Sequence, residues 1–254
     1  MESKLSESQT GRYTLTPLRN PKVKEKPFSV ADIESSKWTH FLIIGHYDGD
    51  FVHYFESLKE FFDYVFQHPH DAVFLHFGGI FDFLFLLEEL FNNDSGYMLE
   101  GMLPRGSGIL SLTVTNGARS IVFRDSSALL PFSLKCLAEN FKCSTLKGSI
   151  DYEKIEVVTE ELKKYLKSDL LALHEVLTKF FDSPIIKRAG SKTTIASQSL
   201  QVLRTYLNSP VSSLPSAIDS FVRLSYAGGR TEIFRPLYDD GSGGTPLRNY
   251  DINS

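Results

Sequence analysis

Apolar and polar residues alternate along three early stretches, FSVADIE at 28–34, HFLIIGHY at 40–47 and FVHYFE at 51–56, with a compact DGD between the last two. Alternation rich in β-branched and aromatic residues, broken by turn residues, predicts an antiparallel meander. The period then lengthens. Leu58, Phe61, Phe62, Val65 and Phe66 repeat at helical spacing behind Ser57 and Glu60, the pattern of a capped amphipathic helix. DAVFLH at 71–76 reads as a short buried strand, Gly78 and Gly79 as a turn, and FDFLFLLEELF at 81–91 as the helix that leaves it. Asn116-Gly117 between the alternating runs of ILSLTVTNGARSIVFRD at 109–125 predicts a second hairpin. A short helix, SLKCLAENF, is expected after Pro131. A longer one begins near Thr159 with acidic residues in its first turn and runs through Leu162, Tyr165, Leu166, Leu170, Leu173 and Val176. TTIASQSLQVLRTYL at 193–207 reads as a further helix ahead of the Pro- and Ser-rich NSPVSSLPS. Residues 1–27 are polar and end in the basic PKVKEKP, which reads as a flexible arm; the first folded domain is expected over 28–185, with 186–254 as linker and a further segment.

At 254 residues, with 42% hydrophobic and 23% charged positions, the chain has the make-up of one or two folded domains. A formal net charge of -4 argues against broad electrostatic attraction to nucleic acid or anionic membrane, so any nucleic-acid contact must be local. No apolar run is long enough to span a bilayer, and the opening MESKLSESQTGRYT lacks the apolar core of a secretory signal. An intracellular protein without a membrane partner is expected. Cys136 and Cys143 suit ordinary packing better than a disulfide framework or a zinc site.

Asp82 stands out, a carboxylate inside FLHFGGIFDFLFLLEEL at 74–90, which would otherwise read as core. A lone buried carboxylate is strongly destabilising, so it must face a cleft, pair with a cation or hold a metal. Asp32 and Glu34 lie two apart in a strand and leave the same face of the sheet. Such a pair fits a solvated strand edge; it also fits a site where a divalent cation neutralises both, and hard oxygen donors select Mg²⁺ or Mn²⁺. Tyr165 and Asp169 are one helical turn apart, in phase with the apolar stripe, so Asp169 is turned inward. Taken alone, that spacing describes a core tyrosine beside an aspartate equally well.

The order of these pieces adds information. An acidic pair on the first strand, an aspartate at a strand-to-helix junction and a tyrosine-aspartate turn on a later helix resemble the three exonuclease motifs of the proofreading domain in family B DNA polymerases. HFGGIFDFLF at 76–85, DSSALLPFSLKCLAENF at 125–141 and TLKGSIDY at 145–152 are similar to segments of the protein-primed branch of phages, adenoviruses and linear plasmids. YAGGR at 226–230 resembles the element that joins exonuclease and polymerase domains, and NYDINS at the end resembles the start of the first polymerase motif.

The resemblance implies a ribonuclease H-like α/β fold, a mixed sheet flanked by helices, of the tyrosine-containing subtype, followed by an incomplete segment leading to a polymerase palm. It implies two-metal hydrolysis of single-stranded DNA from the 3′ end, with Asp32, Glu34, Asp82 and Asp169 holding two Mg²⁺ or Mn²⁺ ions. Tyr165 would orient the water and Lys147 would offset charge at the scissile phosphate. DNA contact falls to Ser35, Phe77, Phe81, Ser126, Ser127, Tyr152, Tyr226, Gly228 and Gly229, and Asp251 becomes a polymerase metal ligand. A terminal priming protein is the second implied partner, and a linear-plasmid origin would place the chain in mitochondria or cytoplasm. Lys187, Arg188 and Lys192 fit a path along the strand backbone or a solvated loop. The sequence departs from the family where asparagine is common and Phe77 stands, at Ile80 where a polar residue is frequent, and at Ser127 where leucine is usual. These departures favour an alternative, a noncatalytic module that binds single-stranded DNA or the priming protein. With no second palm aspartate downstream, primer extension by this chain is not expected.

Overall fold

The computed structural model describes residues 14–19, 27–91, 95–145, 150, 155–212, 218 and 220. The chain divides into two units, one of residues 1–15 with 211–254 and one running from Thr16 to Pro210. Among its described residues the first contributes a short antiparallel pair, β1 (Thr14–Leu15) with β9 (Val211–Ser212).

The second unit is built on a seven-stranded mixed sheet. The predicted meander is present as β2 (Phe28–Ser36), β3 (His40–Tyr47) and β4 (Val52–Phe55), each antiparallel to the next. The Asp48 carboxylate turns the chain between β3 and β4 by accepting the Asp50 and Phe51 amides at 2.8 and 2.7 Å, the local bonding for which aspartate is favoured in turns. Helix α1 (Leu58–Gln67) starts at Ser57, whose hydroxyl accepts the Glu60 amide, and its last carbonyls receive the Arg119 guanidinium. Strand β5 (Ala72–Leu75) lies parallel to β2 and to β8 (Ser120–Asp125), and α2 (Asp82–Phe91) leaves its end. β6 (Met98–Arg105) and β7 (Gly108–Thr115) complete the order β4-β3-β2-β5-β8-β7-β6. α3 (Leu134–Asn140), α4 (Glu160–Asp182), α5 (Pro184–Ala189) and α6 (Ile195–Tyr206) follow.

The sheet is covered on both faces. Ala31 and Ile33 of β2 pack with Phe61, Phe62 and Val65 of α1 and with Phe83 and Leu86 of α2. Val30, in the opposite phase, packs with Leu134 and Leu137 of α3 and with Leu162, Leu166, Leu170 and Leu173 of α4. This is the mixed sheet flanked by helices that the motifs implied.

The turn expected at Gly78 and Gly79 is a 3₁₀ turn, Gly78–Ile80. The hairpin at Asn116 uses a four-residue connection: the Asn116 side chain accepts the Ala118 and Arg119 amides at 3.0 and 2.9 Å, and only Gly117 takes positive φ there. β6 and α5 did not appear in the pattern at all. Within the N-terminal segment the Leu18 amide donates to the Arg204 carbonyl at 2.8 Å and Arg204 Nε donates to the Thr16 carbonyl at 2.9 Å. α5 and α6 fall within the unit that runs from Thr16 to Pro210. Among the described residues, no helix is long and apolar enough to cross a membrane.

Candidate active site

Asp32 and Glu34 leave β2 in one phase, with Gly45 and Ile43 of β3 as their cross-strand partners. Gly45 decides what lies above them. A Cβ there would stand 2.7 Å from Leu170 Cδ1 and 2.9 Å from Leu166 Cδ2, so the missing side chain lets α4 settle onto β3. Asp169, beside Leu170 and one turn from Tyr165, reaches the same place as Asp32.

Asp82 arrives from the other direction, as the first residue of α2. The 3₁₀ turn that sets it there has no spare room: a Cβ on Gly79 would fall 1.9 Å from the Ile109 carbonyl oxygen, and one on Gly78 would fall 2.7 Å from Leu75 Cβ. Neither glycine is needed for positive φ. The left-handed residue is Phe77, at φ 60° and ψ 16°, whose amide donates to Asp125 Oδ1 at 3.0 Å. The same oxygen accepts the Ser127 amide at 2.9 Å, so one buried carboxylate fastens the ends of β5 and β8 together.

These elements enclose a cavity of about 260 Å³ lined by Asp32, Glu34, Asp82 and Asp169 with Ser35, Phe77 and Phe81. A lobe of about 170 Å³ shares Asp32, Phe77 and Asp169 and reaches Ser133 and Leu134. His76 lines both, its Nδ1 2.9 Å from Ser126 Oγ and its Nε2 2.8 Å from the Phe132 carbonyl. Ser126 Oγ also stands 3.0 Å from the Leu75 carbonyl, so the histidine and the serine hydroxyl together tie the end of β5 to the segment ahead of α3.

Asp82 is 5% exposed, and burial, followed by the charges of Asp32, Glu34 and Asp125, pushes its carboxyl well above the usual carboxylate range. The cavity is thus short of positive charge, and its donors are hard oxygens, which fits a divalent cation such as Mg²⁺. As they stand, no three His, Cys, Asp or Glu side chains among the described residues are arranged to hold an ion, so binding requires the carboxylates to turn toward it.

Seven predicted residues therefore line one cavity. Tyr165 is 5% exposed on α4 and is not among the lining residues. Ser126 and Ser127 are buried under the cavity, with the Ser126 hydroxyl committed to Leu75 and His76, so in this conformation they brace the strand ends. Lys187 pairs with Asp182 at 2.9 Å and Arg188 donates to the Thr205 carbonyl while covering the Tyr206 ring, which ties α5 to its neighbours. Lys147, Tyr152, Tyr226, Gly228, Gly229 and Asp251 lie outside the described residues. The sequence pattern passed over Gly45, His76, Asp125 and the Lys37–Trp38 turn at the cavity mouth. A glycine inside the otherwise full strand HFLIIGHY was the one available signal for a close approach.

A family model, DNA polymerase type B, organellar and viral, matches residues 65–161 and 155–254. The chain belongs to this family. It is 28% identical over 263 residues to a DNA-directed DNA polymerase of Enterobacteria phage PRD1, covering 94% of this chain and 40% of the relative. It is 29% identical over 196 residues to the DNA polymerase of Bacillus phage phi29, covering 69% of this chain and 33% of the relative. The chain thus spans well under half the length of these polymerases. A solved structure of phi29 DNA polymerase complexed with single-stranded DNA superimposes with a TM-score of 0.61 at 23% identity, over 82% of this chain and 41% of that one, which shows a shared fold.

Proposed function

We propose that the acidic cavity is a 3′–5′ exonuclease site for single-stranded DNA ends, within a type B DNA-directed DNA polymerase. The observation that carries this reading is the meeting of Asp32, Glu34, Asp82 and Asp169, from one strand and two helices, in a single cavity. Membership of a DNA polymerase family supports it. When bound, two Mg²⁺ or Mn²⁺ ions supply the positive charge that these four carboxylates call for and that a phosphodiester displacement needs in its transition state. Burial and then the neighbouring carboxylates hold a proton on Asp82, which it would have to release to serve as a ligand.

Tyr165, one turn from Asp169, orients the attacking water. The water gives a proton to solvent as its oxygen bonds to phosphorus, the bond from phosphorus to the 3′ oxygen breaks, and the departing oxygen takes a proton from solvent. A nucleoside 5′-monophosphate leaves. Lys147 offsets charge at the phosphate, and Ser35, Phe77, Phe81 and Tyr152 hold the strand. Tyr226, Gly228, Gly229 and Asp251 belong to the polymerase side of the protein, and a terminal priming protein is a proposed second partner.

A 5′-labelled single-stranded oligonucleotide with Mg²⁺ or Mn²⁺ is expected to shorten stepwise from its 3′ end. Asp32→Ala and Asp82→Ala should each lower the rate by at least about 100-fold, the equivalent of several kcal/mol of transition-state stabilisation. A second reading, a module that binds single strands without cutting them, is favoured by Tyr165 standing off the cavity lining. Binding without cleavage by the folded wild type would establish that reading and overturn the first.

A further inference from the structure

The turn between β2 and β3 holds two residues in an unfavourable conformation at the cavity mouth. Lys37 and Trp38 have φ of 52° and 63°, and the Thr39 amide closes the turn on the Ser36 carbonyl at 3.2 Å. Glycine or asparagine adopts this conformation far more readily than lysine or tryptophan. Trp38 is nevertheless 65% exposed, with its ring set edge-on to Phe81 at 5.6 Å between centroids. Both turn residues line the 260 Å³ cavity together with the carboxylates, and Lys37 is the one lysine or arginine among the described residues that line it. A costly turn that presents a large aromatic face and a cation beside a buried acidic cluster suits a ligand with flat apolar rings and a negative backbone.

We propose that Trp38 is a stacking platform for a base of the DNA strand whose terminal phosphodiester lies over Asp32, Glu34 and Asp82, with Lys37 drawing the strand's phosphates past the acidic rim. The inference rests on the exonuclease reading of the same cavity. Aromatic side chains bind single strands by stacking on successive bases, whatever the sequence.

Trp38 is the chain's single tryptophan, so its fluorescence reports on this position alone. The test titrates wild type, Trp38→Ala and Trp38→Phe with oligothymidylate in EDTA, reading tryptophan emission for wild type and the anisotropy of a labelled strand for all three. The titrations are repeated with a strand abasic at its last three nucleotides. Saturable quenching of wild type is expected, with roughly 10-fold weaker binding by Trp38→Ala, most of it recovered by Trp38→Phe. On the abasic strand the Trp38→Ala penalty should disappear, as expected when two changes remove one shared contact. Unchanged affinity of Trp38→Ala, or an equal penalty on normal and abasic strands, overturns the stacking role and leaves the exonuclease reading standing. No strand binding by wild type, either in EDTA or with Ca²⁺ in its place, overturns both.

Discussion

Phe77 holds a backbone conformation that its own side chain does not favour. At φ 60° it pays the left-handed penalty of about 1–2 kcal/mol that asparagine largely escapes. Asparagine is also common at this place in the polymerases that the second motif resembles, so backbone geometry is one physical reason for that preference. Phe77→Asn is expected to raise stability by about 0.5–1 kcal/mol in urea denaturation. A loss of stability would show that the contact between the Phe77 and His76 rings, 4.7 Å between centroids, outweighs the backbone strain. At this scale only Asp82 stood out by itself, because a carboxylate inside an apolar run is anomalous. The spacings of Asp32 with Glu34 and of Tyr165 with Asp169 were ambiguous alone, and the order of the three motifs is what joined them to it. Asp125 did not stand out, because its role depends on receiving an amide from Phe77, a residue far away in the chain.

Two glycines govern where the site-bearing elements rest, for different reasons. At Gly45 the obstacles to a Cβ are the flexible ends of Leu166 and Leu170, whereas at Gly79 the obstacle is the Ile109 backbone carbonyl. Gly45→Ala is therefore expected to cost about 1–3 kcal/mol, the usual range for overpacking, and Gly79→Ala more, because a strand cannot swing aside as a side-chain tip can. Thermal unfolding of both variants checks the order; equal losses would mean that the 3₁₀ turn yields as readily as the leucines. Elements with a clear period were legible: the meander, α1, α2, the second hairpin, α4 and α6 all stand where the apolar spacing put them. β6 was hidden because Gly101 and Pro104 interrupt it, and both lie at irregularities in its pairing with β7, on the edge of the sheet where such residues are tolerated. α5, six residues long, is too short to show a helical period.

For the whole molecule, acid should act through two buried groups with opposite signs. His46 is fully buried and, chiefly through that burial, its pKa is pushed down to about 3. Among the described residues neither ring nitrogen has a hydrogen-bond partner. Above the ordinary histidine pKa of about 6.5 both folded and unfolded chains are neutral at this residue, and below it only the unfolded chain gains the proton easily. Stability is thus lost as pH falls from about 6.5 toward 3, by about 2 kcal/mol at pH 5, a loss that His46→Leu should not share. Denaturant midpoints at pH 7 and pH 5 for the two proteins test this; parallel losses would place the acid sensitivity elsewhere. Asp82 works the other way, since its raised pKa favours the folded chain when protonated and that advantage fades as pH rises through the folded value. The metal-free cavity therefore holds the Asp82 proton more tightly than an ordinary carboxyl does, and a divalent cation is what would displace it. The most direct measurement is a calorimetric titration of Mn²⁺ into wild type and Asp82→Asn, in two buffers of different ionisation enthalpy. The account predicts wild-type binding with proton release, and Asp82→Asn binding at least about 10-fold more weakly without that release. Absence of Mn²⁺ binding by folded wild type, or equal binding by both proteins with no proton released, would contradict it.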